Sequence, residues 1–139
     1  MNTLRAALAP GLIAGIISIF TSWILMGGIF HRFQRETPET WRPEGATSYT
    51  FASLLHIFAA VAIACLFTLI LRFNVGTFAG GLRGQILFAI CLWGAVALPM
   101  IVESALFVRI HRLVVVGRLL DWLVTCLLAS IVTGWWLQK

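Results

Sequence analysis

The sequence predicts an all-α fold: an integral membrane bundle of four transmembrane helices, forming one domain over residues 1–139. The first observation is composition, with 60% of residues hydrophobic and 11% charged. Soluble domains sit near 45–50% apolar and about 25% charged. A soluble domain of roughly 150 residues buries only about 70% of its unfolded surface, too little to hide this much apolar side chain. The second observation is that the apolar residues fall into four runs, each about as long as the 20 residues that cross a hydrocarbon core of about 30 Å.

The first run spans about Pro10 to Phe30 (PGLIAGIISIFTSWILMGGIF) and carries no charge. Pro10 suits a first helical turn, where its missing N–H does no harm. Arg5 before an apolar run also fits a signal peptide, but the run is long for one and ends in GIFHRF, with no small-x-small cleavage pattern. The segment His31–Ser48 is polar, holds Pro38 and Pro43 and reads as a long loop, with Trp41 at the level of lipid headgroups. The second run, about 49–71, closes at Arg72, and the glycine-rich stretch 72–84 reads as a turn. The third run, about 85–108, contains Pro99, which predicts a kink or a local opening, and Glu103. Arg109–Arg118 reads as a basic connection. The fourth run, about 119–137, ends on the interface pair Trp135 and Trp136. Starting it at Leu113 instead would put Arg118 inside the span, with Asp121 three residues on as a helical neighbour able to pair with it.

Charge and cysteines narrow the function classes. The net charge is +5, but the basic residues lie between apolar runs and form no cluster. Attraction to anionic headgroups accounts for that pattern, and nucleic acid is not an expected partner. Four Lys and Arg (Arg5, Arg72, Arg83, Lys139) fall on the side of the termini, against six (Arg32, Arg35, Arg42, Arg109, Arg112, Arg118) on the other. The positive-inside rule then places both termini outside the cytoplasm. Cys65, Cys91 and Cys126 each lie within an apolar run and read as packing residues, with no disulfide and no zinc spacing expected. No P-loop, no Ser-His-Asp order and no H-E-x-x-H is present.

Ionisable residues inside spans are costly and mark candidate functional sites. His56 lies about 10 Å into the second span and Glu103 about 7–8 Å into the third from the same side, at about 1.5 Å of rise per residue. Asp121 enters the fourth span from that side too. The sequence therefore predicts a polar layer of His56, Glu103 and Asp121, with Arg118 as a possible counter-charge, opening toward the 31–48 loop. Such a layer either forms a binding pocket or fixes helix packing. Ala52, four residues before His56, makes a small-x-x-x-His pattern in which a tetrapyrrole metal is a possible partner for the imidazole; otherwise no cofactor and no metal is expected. Gly11-x-x-x-Gly15, Ala60-x-x-x-Ala64 and Ser130-x-x-x-Gly134 are spaced for close helix packing, within the chain or in a homo-oligomer.

Three functions fit this pattern. The leading one is a non-catalytic binding or accessory subunit that holds an amphiphilic ligand or a membrane partner at the polar layer. The second is a small membrane enzyme in which His56 and Glu103 act as base and acid on a lipid-like substrate. The third is a tetrapyrrole-bearing subunit of an electron-transfer or light-harvesting complex.

Trp23–Phe30 (WILMGGIF), Trp41 in the first loop, and Gly117–Trp136 with its acidic start and tryptophan end resemble a family of small, uncharacterised four-helix bacterial membrane proteins. The first helix departs from that family in lacking its Trp-Tyr pair. The resemblance implies the four-helix fold and a bacterial inner membrane, and it implies no activity.

Overall fold

The computed structural model describes residues 3–41, 45–79 and 81–138. The sequence readings that rest on Arg42, Pro43, Gly80 and Lys139 fall outside these. All regular structure among the described residues is helical, and four helical runs are long and apolar enough to cross a membrane. The first run joins α1 (Thr3–Ser22), a π-helical segment (Trp23–Phe30) and α2 (His31–Gln34). The second is α3 (Ala46–Arg72). The third joins α4 (Gly81–Leu92), a shorter π-helical segment (Trp93–Ala97) and α5 (Leu98–Phe107). The fourth is α6 (Arg112–Leu137). Chain direction alternates, so the termini and the 73–80 turn share one end of the bundle, and the 35–45 and 108–111 connections share the other.

Several boundaries differ from the sequence reading, each for a physical reason. Helix begins at Thr3, so Pro10 lies inside α1, fully buried, rather than in its first turn. The first run continues to Gln34, and with a 3₁₀ turn at Pro38–Thr40 and α3 starting at Ala46 the expected long loop shrinks. The third run starts at Gly81, whose φ of 60° lets the chain reverse tightly from the turn into α4. The fourth starts at Arg112 rather than Leu119, because the His111 ring caps it by accepting a hydrogen bond from the Leu113 N–H. Arg118 is therefore helical, as in the earlier-starting reading. Pro99 falls just after the π turn, where the Leu98 N–H reaches back to the Trp93 carbonyl. Widening by one residue accommodates a ring that would break an ordinary α-turn.

α6 is the central helix and packs against α1, α3 and α4. α1 and α3 approach most closely where their small residues meet: a Cβ added at Gly11 would lie 2.7 Å from the Val61 Cα, and one added at Gly15 would lie 2.8 Å from the Ile57 Cα. The glycine and alanine motifs thus serve packing within the chain. At the 73–80 end, Ala60, Ile63, Phe67, Phe88, Ala89, Cys126 and Ala129 form the core, with the Phe67 and Phe88 rings 4.9 Å apart. Phe67 is fully buried. Phe67→Ala is expected to lower unfolding free energy, measured by detergent-denaturant titration, by about 3 kcal/mol, the cost of leaving an aromatic-sized gap. Of the cysteines read as packing residues, Cys126 is buried, Cys65 is half-buried and Cys91 is exposed.

The bundle is looser at the 35–45 end. α5 is held mainly by α6 and the π turn before it, and Met100, Leu106 and Phe107 are largely exposed. Tyr49 and Ala52 share a helical face with His56, two turns and one turn nearer that end, and both are exposed.

Candidate functional site

Three helices place polar side chains at one point inside the bundle. The His56 Nε2 lies 3.6 Å from the Asp121 Oδ2, too long for a good hydrogen bond but close for an ion pair. The Ser22 hydroxyl donates to the same Oδ2 at 3.0 Å. Asp121 is 5% exposed, and its backbone carbonyl accepts from the Thr125 hydroxyl at 3.0 Å. One face of the His56 ring stacks on Trp122, with centroids 5.6 Å apart and planes 16° from parallel. Asp121 Oδ1 and His56 Nδ1 are buried without a hydrogen-bond partner among the described residues.

Both π-helical segments adjoin this point. Ser22 is the last residue before the first segment, and Phe30 at its end packs against Gly117 of α6. Trp93 opens the second segment, and its indole N–H donates to the Leu119 carbonyl at 2.9 Å, two residues before Asp121. Wide turns recur beside functional sites because they re-aim the faces on either side. Here they let α1 and α4 reach the same short stretch of α6.

The predicted layer divides. Measured along each helix from the 35–45 end at about 1.5 Å per residue, Asp121, His56 and Ser22 lie about 14, 15 and 18 Å in, whereas Glu103 lies only about 6 Å in. Glu103 is exposed on α5 and does not join the pair. α3 lies against α1 and α6, whereas α5 is held by α6 and the π turn before it, which the sequence spacing did not show. Arg118 does not pair with Asp121 either. Its guanidinium sits over the Trp41 ring, 5.2 Å from the centroid, so Trp41 folds onto the bundle. The Trp41 indole N–H also reaches the Thr37 hydroxyl at 3.4 Å. Trp135 and Trp136 are exposed at the far end of α6. The Ala52 face is open, but the His56 ring is held between Trp122 and Asp121. No group of three or more metal-ligating side chains occurs among the described residues.

Ser22, Trp93 and Trp122 were missed in the sequence. Ser22 had a readable signal: Gly11, Gly15, Ser18 and Ser22 recur at helical spacing and form the face of α1 that packs inward. The two tryptophans had none, since either fits an interface anchor equally well.

A second polar contact ties the connections together. His111 Nε2 lies 3.1 Å from Glu36 Oε2, and the His111 ring stacks on Phe33 with centroids 5.2 Å apart. Because Nδ1 accepts the Leu113 N–H, Nε2 is the nitrogen that carries the proton toward Glu36.

No protein-family model, curated protein or solved structure matches the chain. The resemblance read from WILMGGIF and the end of the fourth run therefore has no matching family model behind it.

Proposed function

We propose that the four helical runs cross a membrane and that the chain is a non-catalytic binding protein, holding the polar group of an amphiphilic ligand at the His56–Asp121 pair. The observation that carries this reading is the pair of buried, unpartnered atoms, Asp121 Oδ1 and His56 Nδ1, on two helices whose polar side chains meet at 3.6 Å. Buried polar groups are rarely left unsatisfied, because each costs about 1–3 kcal/mol. Thr133 Oγ1 is also buried without a partner, but it stands apart, whereas these two atoms belong to one contact between helices. Arg32, Arg35, Arg109 and Arg112 sit around the 35–45 end, which orients that end toward the cytoplasm and both termini away from it. A bacterial inner membrane suits this arrangement.

The test is extraction in mild detergent followed by mass spectrometry of bound small molecules. Wild-type protein should retain close to one amphiphile per chain, and Asp121→Asn should retain about tenfold less while still unfolding in one cooperative thermal transition. Equal content in the two proteins would make the pair a packing device.

A further inference from the structure

We infer that Arg118 anchors an oxyanion site, in which its guanidinium holds a phosphate group at the 35–45 end of the bundle. The site is separate from the His56–Asp121 pair and does not depend on it. Such a phosphate comes from a lipid headgroup or from a water-soluble phosphate ester, and the chemistry that recognises it is the same for both.

The argument begins with the way Arg118 points. Val114 and Asp121, four residues before it and three after, are buried and share its face of α6. Val116 and Leu120, two residues to either side, are exposed on the opposite face. Arg118 therefore turns into the bundle rather than out toward lipid, and it is half-buried there, so part of it stays reachable from the 35–45 end. A charge in that position needs an opposite charge and acceptors for its N–H groups. Among the described residues no carboxylate pairs with it. Asp121 is engaged by His56 and Ser22, and Glu36 by His111. The guanidinium contacts the Trp41 ring, 5.2 Å from its centroid. An indole attracts a cation but carries only an N–H donor and no acceptor atom, so that contact leaves the five guanidinium N–H groups without one.

A planar guanidinium pairs two parallel N–H groups with two oxygens of one oxyanion, which satisfies the charge and the donors together. The level of Arg118 in the bilayer says which oxyanion is at hand. Trp135 and Trp136 are exposed at the far end of α6. Counting a hydrocarbon core of about 30 Å back from them, at about 1.5 Å per residue, reaches about position 116. Arg118 therefore lies at the boundary between acyl chains and headgroups, where phosphate is the abundant anion. That level rests on the membrane placement proposed above; the unpaired charge does not. Arg32, Arg35, Arg109 and Arg112 are exposed at the same end, against Glu36, Glu39 and Glu103, so the end as a whole attracts anions. Those four arginines supply a general field, and Arg118, turned inward against Trp41, supplies the point of attachment. Water can also solvate the guanidinium, and the experiment separates the two.

The experiment is isothermal titration calorimetry on the purified full chain in maltoside micelles, with protein-free micelles as the blank. The probes are dihexanoyl phosphatidylglycerol, dihexanoylglycerol, which has the same tails and no phosphate, and inorganic phosphate. Phosphatidylglycerol should bind saturably at about one per chain and about tenfold more tightly than dihexanoylglycerol, the worth of a charge-assisted pair. Arg118→Gln should weaken it about tenfold, and Arg109→Gln, exposed at the same end, by less than about twofold. Should Arg118→Gln fail to fold, Arg118→Lys, which keeps the charge and loses the planar fork, should weaken it about threefold. Inorganic phosphate bound as tightly as the lipid assigns the site to soluble phosphate esters, and much weaker binding of it assigns the site to a headgroup; both results uphold the site. Equal affinity for phosphatidylglycerol and dihexanoylglycerol, or an Arg118 variant that loses no more than Arg109→Gln, overturns it and leaves a diffuse basic surface with water on Arg118.

Discussion

Asp121→Ala is expected to cost about 3 kcal/mol of unfolding free energy, because it strips a buried partner from His56 and from Ser22 at once. Asp121→Asn keeps an oxygen for the Ser22 hydroxyl and should cost only about 1 kcal/mol. The contrast is informative because neutral hydrogen bonds between membrane helices are worth only about 0.6–2 kcal/mol. A loss near the larger figure for Ala, with a positive coupling of about 1–3 kcal/mol in a cycle with His56→Ala, shows that the two residues act as one unit. Additive losses in that cycle would show that each serves a different neighbour. The readout is a reversible titration from mild detergent into denaturing detergent, followed by tryptophan emission.

The second large effect is expected at the α1–α3 contact. Gly15→Val places side-chain carbon within 2.8 Å of the Ile57 Cα, and Gly11→Val does the same within 2.7 Å of the Val61 Cα. Backbone cannot swing aside as a flexible side chain does, so the helices must separate along the contact. Overpacking of this kind typically costs about 1–3 kcal/mol. The two substitutions together should reach the upper end of that range or abolish the folded species. Separation would also draw Ser22 away from Asp121, since both glycines lie on the face of α1 that carries Ser22. As a control, Gly27→Val and Gly28→Val meet no atom within 4 Å at the added Cβ and should leave stability nearly unchanged. A melting series over the four substitutions checks the prediction. Equal effects at all four would argue that glycine acts through helix propensity rather than through contact.

Hydropathy alone made the four helices legible, since an apolar run bounded by charges has few other solutions. His56 and Asp121 were legible as members of one layer, together with Glu103, because alternating chain direction places them at similar depth, but nothing in the sequence singled them out as partners. Glu103 was misplaced because depth was read from the end of an apolar run. The sequence gives no sign that α3 packs on α1 and α6 rather than on α5. Arg118 was misjudged for a related reason: Asp121 is a near neighbour along the helix, but Trp41 from the connection takes the guanidinium. Where α6 begins was obscured by its apolar first turns and basic composition, and the His111 cap that sets it depends on ring geometry. Ser22 shows the reverse case, a residue whose inward face was spelled out by Gly11, Gly15 and Ser18.

Nitrogen NMR of isotopically labelled histidine in bilayers reads the His56–Asp121 pair most directly, with His31 and His111 as internal controls in a chain holding three histidines. The His56 resonances should move on Asp121→Asn, while those of His31 and His111 stay in place. A His56 ring indifferent to the substitution would contradict the account.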